Sequence, residues 1–346
     1  MGTVENNRSG FWDNAKFFLI LLVVIGHFLS EFDGVDYYWP RYLVSVIYTF
    51  HMPMFIFISG MFSKSVINGK RFRIERVFTF IILYSLYKII QFFLFHAFSH
   101  DITFEYFWVD DLPWYLLTMA IWLCLTFLVK DVKPVLMICI SIGIAFLSGF
   151  SNQVGDFLAL ARAINYWPIF LFGFYLNHEK VKDVISIKWI RILGIIGLIV
   201  FLFLVWKSHG EFAYHKPFFT GRNSYEAIAE TWDNFHAFYR ILYYPFIVGL
   251  GICVLSFIPR RRIPLISQWG SKTLQVYFLH RLVLNVLEFV GFYELILGAI
   301  GPEKYWTAAL VLCAIAVTIV LSLKIWSRPF DWLMRQKYRF LFRQSE

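Results

Sequence analysis

Charge is what this chain has least of. Asp, Glu, Lys and Arg together supply only 16% of its residues, against about a quarter in ordinary soluble domains. So small a supply cannot tile a surface that faces water on every side, which excludes a soluble globular protein. Cysteine is scarcer still. The four present, Cys124, Cys139, Cys253 and Cys313, stand isolated inside apolar stretches, so neither a disulfide framework nor a metal site is expected. The chain shows no repeat of fixed period, no low-complexity tract and no soluble domain. Its first apolar run is flanked by acids, lacks an A-x-A site and contains a histidine, so a cleavable signal peptide is not expected.

Apolar and aromatic side chains fill the space that charge leaves: 59% of residues are hydrophobic and 21% aromatic. A helix needs about 20 such residues to cross the hydrocarbon. Ten windows qualify or nearly qualify: 12–31, 43–63, 77–98, 112–129, 134–150, 160–177, 190–206, 238–258, 273–293 and 305–326. The fold class expected is all-α, a polytopic integral membrane protein with about ten transmembrane helices in one bundle and a single domain over residues 1–346. Lys and Arg concentrate in the connections that become cytoplasmic when the N-terminus is inside, and acids in the others, so both termini are expected to be cytoplasmic. The formal net charge of +9 then reflects topology and anionic membrane lipid, and nucleic acid is not expected as a partner. The longest external connection, 207–239, has length enough to fold over the outer face. A basic cytoplasmic tail occupies 327–346.

Several polar groups lie where lipid would be expected. His27 sits eleven residues after Lys16 in KFFLILLVVIGHFLSEF, about 16 Å farther along a helix. An ionisable side chain at that depth is costly unless it faces a cavity or a partner. The second window contains FHMPMFIFISG, with His51 just before Pro53, a residue that removes a backbone donor and favours a kink. In the ninth, Tyr277, Arg281, Asn285 and Glu288 follow helical spacing with His280 beside them, a polar stripe that must face protein or water. Arg162 adds a cation to the sixth window. In KRFRIERVF, Arg73 and Arg76 fall on one face of a helix start, where two guanidiniums can chelate phosphate.

Together these segments resemble the acyltransferase-3 family of membrane O-acyltransferases, particularly its fucose 4-O-acetylase-like branch. Asp13, Lys16 and His27 resemble the family's opening pattern, and FHMPMFIFISGMF its second-span signature. Arg73 and Arg76 match an R-x-x-R pair, LPWYLLTM resembles a Trp-Tyr-Leu motif, and TLQVYFLH the motif near the end. The likeness runs from about residue 8 to 326. It implies transfer of an acyl group, most often acetyl, from acetyl-CoA or another acyl-CoA to a carbohydrate hydroxyl on a cell-surface polysaccharide or lipid-linked sugar. The enzyme would sit in a bacterial cytoplasmic membrane, among membrane lipid. The esterase-like domain that some relatives append is expected to be absent, so the membrane domain would meet the acceptor itself.

On this reading His27 is the catalytic base, or is itself briefly acylated, with His51 and His280 as further catalytic candidates. Lys16, Arg73 and Arg76 bind the donor phosphates, and Trp114 and Tyr115 line the donor cavity. Asp13, Tyr277, Arg281, Glu288 and Arg162 support them. The competing reading is a glycan or small-molecule exporter, with Lys88, Arg281 and Glu288 on its path.

Overall fold

A computed structural model describes residues 10–34, 36–69, 71–109, 112–208, 211–212, 216–229 and 236–338. Helices dominate the described residues. The described residues form α1 (Gly10–Leu29), α2 (Tyr38–Phe62), α3 (Lys64–Ile67), α4 (Ile74–Ala97), α5 (Trp114–Val129), α6 (Pro134–Ser148), α7 (Leu160–Tyr175), α8 (His178–Ser186) and α9 (Lys188–Lys207). They continue with α10 (Lys216–Phe219), α11 (Tyr225–Ala229), α12 (His236–Phe257), α13 (Pro264–Gly270), α14 (Thr273–Phe289), α15 (Phe292–Ala299), α16 (Glu303–Leu321) and α17 (Lys324–Arg335). Among these residues the one extended pairing is an isolated bridge between Trp108 and Phe157. The all-helical class expected from the sequence holds.

Each of the ten apolar windows contains a helix, but the helices are not ten equal crossings. Among the described residues six are long and apolar enough to span a membrane, and a seventh arises if α14 and α15, bent by 66° at their junction, are counted as one. That break falls at Gly291, whose φ of +74° is a left-handed conformation that glycine adopts freely. Helices α5, α6 and α7 have 16, 15 and 16 residues, which at 1.5 Å per residue leaves them shorter than the ~30 Å hydrocarbon layer. The expected basic tail begins as α17, a helix, and 339–346 lie outside the described residues. So do Lys70 and, in the expected external loop, residues 209–210, 213–215 and 230–235.

The bundle sorts its helices by burial. α9 exposes Trp189, Leu193, Ile199 and Phe203 along its length, a face that only lipid tolerates at that size. α2 is the opposite case, buried over most of its length and packed closely on α7. The closeness comes from two facing glycines. A methyl at Gly60 would stand 2.1 Å from the Phe170 carbonyl oxygen, and one at Gly173 would stand 2.0 Å from that of Phe57. Small residues let helix backbones touch where no hydrophobic force joins them.

α1 lies inside as well, against α2, α13, α14 and α16. Its N-terminal end is moored by Asn14, whose amide donates to the carbonyls of Pro259 and Arg261 at 2.9 Å each and accepts from Ser267 Oγ at 2.7 Å. Those bonds hold Lys16 at one end of the bundle. The last turn of α1 carries His27 to the other.

Candidate active site

Two cavities enter the bundle from opposite ends. The first, of about 350 Å³, is lined by Lys16, Arg73 and Arg76 together with Ser59, Tyr115 and Tyr277. The paired arginines converge because α4 starts at Ile74: Arg73 is the residue before its first turn and Arg76 lies within it. The N-terminus of a long helix adds a favourable dipole for anions at the same point. The three cations differ in what else they hold. Lys16 pairs with buried Asp13 at 2.7 Å. Arg76 donates from Nη1 to the Met334 carbonyl at 2.5 Å. Arg73 lines the cavity, and among the described residues no carboxylate pairs with it.

The second cavity, of about 420 Å³, is lined by His27, His51, Tyr48, Trp114, Arg162 and Tyr277, among others. The His27 ring lies 5.3 Å from that of His280 and 6.4 Å from that of Tyr48. His51 approaches the Ile47 carbonyl through Nδ1 at 2.6 Å. A carbonyl can only accept, so in the neutral ring Nδ1 carries the proton and Nε2 is left as an acceptor. His280 makes the same bond to Val276 at 2.9 Å.

A loop that the sequence did not connect with the site roofs this cavity. Lys216, Pro217, Phe219, Thr220, Arg222 and Asn223 line it, as the length of the 207–239 connection had allowed. The roof is held from below by α7: Asn165 donates to the Gly221 carbonyl at 2.9 Å, and Tyr166 to that of Phe219 at 2.6 Å. Gly221 has a φ of +65°, and a methyl there would stand 3.1 Å from the Tyr166 ring. Arg222 pairs with Asp156 at 2.5 Å, and Lys216 pairs with Asp33. Buried Arg240 of α12 donates to the Asn223 carbonyl at 3.4 Å. The aromatic floor is Trp114, stacked on Tyr166 at 5.7 Å and covered by the Arg162 guanidinium at 5.3 Å.

Tyr277 belongs to both cavities. Its hydroxyl donates to the Leu112 carbonyl, and its ring lies 5.2 Å from Tyr115 and 6.1 Å from His280. Tyr115 is fixed in turn by a 2.6 Å hydrogen bond with Ser59 Oγ. A single layer of aromatic side chains therefore separates the basic cavity from the histidine cavity.

The candidates named from sequence are thus divided. Lys16, Arg73, Arg76 and Tyr115 share the basic cavity, and His27, His51, Arg162 and Trp114 share the other. Trp114, expected to line one cavity with Tyr115, lines the histidine cavity. His280 is fully buried behind His27, and like Asp13, Arg281 and Glu288 it lines neither cavity. Among the described residues no group of three or more His, Cys, Asp or Glu is placed to hold a metal ion.

The apolar helices and the polar side chains that line the two cavities define a helical integral membrane protein. Residues 9–325 match the family model described as an acyltransferase domain, acyltransferase-3, and the chain belongs to that family of membrane acyltransferases. Among curated proteins, it is similar to Nodulation protein NolL of Mesorhizobium japonicum, 45% identical over 69 residues that make up 19% of this chain and 18% of that protein. It is also similar to Nodulation protein NolL of Sinorhizobium fredii, 41% identical over 64 residues, 18% of each chain. The matched stretch is thus under a fifth of the length of these relatives. No solved structure matches the chain.

Proposed function

We propose that this membrane acyltransferase moves an acyl group, acetyl in the simplest case, from acyl-CoA in the basic cavity to a sugar hydroxyl in the histidine cavity. The observation that carries the reading is the shared wall: Tyr277 borders both the three-cation cavity and the cavity that holds His27. Arg73, Arg76 and Lys16 bind the 3′-phosphate and diphosphate of the donor, where guanidinium pairs and a helix N-terminus suit dianionic oxygens. From Lys16 to His27 is about 16 Å along α1, which the pantetheine arm covers by passing the Tyr277 and Tyr115 rings.

At the far end the chemistry is proton transfer joined to acyl transfer. The neutral His27 imidazole takes the proton of the acceptor hydroxyl as its oxygen attacks the thioester carbonyl. The C–O bond forms, the C–S bond breaks, and the proton passes from His27 to the departing thiolate. His51, with Nε2 available, orients the acceptor hydroxyl, while His280 holds the His27 ring in place. Trp114 gives a sugar ring an apolar face to lie on, and Arg162 with the 216–223 roof supplies donors to its hydroxyls. The acceptor is a carbohydrate of the cell surface or its lipid-linked precursor, and the membrane is the bacterial cytoplasmic membrane with the basic cavity inward. An exporter fits less well, because the family is one of acyl transfer.

The test is direct. Purified protein given acetyl-CoA labelled in the acetyl group, with cell-envelope glycan as acceptor, is expected to release coenzyme A and label the glycan. His27→Ala, matched for folded protein, is expected to do neither. Labelling that survives the substitution removes His27 from the chemistry, and no labelling by the wild type with any acyl-CoA removes the activity.

A further inference from the structure

A third cavity, of about 450 Å³, lies on the other side of α2 and α7 from the histidine cavity. Its walls come from α2, α6, α7, α8 and α12, and three helices bring an internal proline to it: Pro53, Pro168 and Pro245. All lining side chains are apolar except Lys180 and Tyr244. The Tyr244 hydroxyl is already spent, donating to the Asn165 carbonyl at 3.0 Å. Nothing in the shaft of this cavity can hydrogen-bond a sugar or a phosphate, so its ligand must be hydrocarbon over that length.

Length and charge narrow the ligand further. On α12 the lining runs from Tyr244 to Leu255, eleven steps of about 1.5 Å or about 16 Å of helix, which is the depth of one leaflet of the ~30 Å hydrocarbon layer. The groove opens sideways, where Val248 and Ile252 are exposed on the bundle's outer surface. Its polar end is the end that carries the donor cations: Lys64, just past α2, donates to the Tyr175 carbonyl, and Phe62 stacks on His178 at 5.3 Å. There α8 turns Lys180, Val181, Val184 and Ile185 to the groove. Glu179 points to other partners, Lys182 at 3.2 Å and His178 at 3.1 Å. A second cation stands close by, because Arg260 donates to the carbonyl of Ile185 at 3.1 Å.

From this geometry we infer that the groove is a binding site for one acyl chain of an anionic glycerophospholipid from the leaflet at the basic end, with its phosphate held by Lys180 and Arg260. The acceptor substrate is not this ligand, since the charged end of the groove lies at the opposite end of the bundle from His27. The chain would fill the space behind Pro53 and Met54, on the helix whose other face carries His51, and so brace α2 against α7 and α12.

The experiment uses the full chain in mild detergent, with phosphatidylglycerol or phosphatidylcholine added, read by native mass spectrometry and by thermal midpoint. One phosphatidylglycerol is expected to be retained and to raise the midpoint, with phosphatidylcholine held less well. Lys180→Glu is expected to weaken phosphatidylglycerol by about tenfold, the loss of one charge-assisted contact, and to erase the headgroup preference. Ile252→Trp, which fills the groove, is expected to abolish retention of both lipids; if that variant does not fold, Val184→Glu at the exposed mouth carries the same expectation. Equal retention of the two lipids by the wild type, unchanged binding in Lys180→Glu, or an isoprenoid phosphate co-purifying in place of phospholipid would overturn the assignment. Acyl-transfer activity enters none of these readouts, so their failure is separate from failure of the proposed reaction.

Discussion

Arg73→Gln is the most informative single change in the basic cavity, because the three cations there are not equivalent. Removing Lys16 breaks its 2.7 Å ion pair with the buried carboxylate of Asp13, so its loss mixes binding with a folding cost. Removing Arg76 breaks a 2.5 Å bond to the Met334 carbonyl that ties α17 to α4, and mixes binding with docking of that helix. Among the described residues Arg73 makes no side-chain hydrogen bond or ion pair of that kind. A hydrogen bond to a charged group contributes about 1.5–3 kcal/mol, so Arg73→Gln is expected to raise the Michaelis constant for acyl-CoA by roughly ten- to one-hundred-and-fifty-fold. It is expected to leave kcat and the acceptor constant near wild type, since Arg73 lies a cavity away from His27. Steady-state kinetics in detergent, varying donor and acceptor separately, reads the split. A donor constant unchanged within twofold, with matched folded protein, would refute the phosphate assignment.

Three further expectations concern other parts of the molecule. His27→Ala is expected to lower kcat by about 10²–10⁴, the usual worth of a general base, whereas His280→Phe, which keeps a ring behind His27, costs about a tenth of that in kcat and nothing in donor affinity; equal losses would make His280 a reacting group. Tyr166→Phe removes the 2.6 Å bond that pins the cavity roof at Phe219, and is expected to raise the acceptor constant by about fivefold, from ~1 kcal/mol for one hydrogen bond, with the donor constant unmoved. Gly60→Ala places a methyl 2.1 Å from the Phe170 carbonyl, so α2 and α7 must separate; a lower thermal midpoint in detergent is expected, and an unchanged one would mean that the two helices are not held at that contact.

The parts of this site that were legible in the sequence are those where a side chain contradicts its surroundings. His27 in an apolar run and Arg73 with Arg76 at a helix start are such residues, and each lines a cavity. What escaped depends on tertiary approach. Lys216, Arg222 and Asn223 reach the histidine cavity because Asn165 and Tyr166 hold their loop there, and no local pattern announces that pairing. Trp114 and Tyr115 read as one aromatic pair, yet successive helical residues point about 100° apart, so the two face different cavities. The windows that hold α5, α6 and α7 are short in the sequence as well, but so is 190–206, which holds the full 20-residue α9. The break between α14 and α15 did carry a local signal, the glycine at 291, which a window of mean hydropathy smooths away. The stripe of Tyr277, Arg281, Asn285 and Glu288 was legible as polar, but of the four only Tyr277 lines the two cavities.

The account rests on a donor that enters at Arg73 and Arg76 and reaches past Tyr277 to His27. A cryo-electron microscopy reconstruction of the protein with coenzyme A bound tests that path in one measurement. The diphosphate is expected beside Arg73 and Arg76, with the pantetheine running between the Tyr115 and Tyr277 rings and the sulfur turned toward His27. Coenzyme A bound outside the bundle, or with its sulfur pointing away from the histidine cavity, would contradict it.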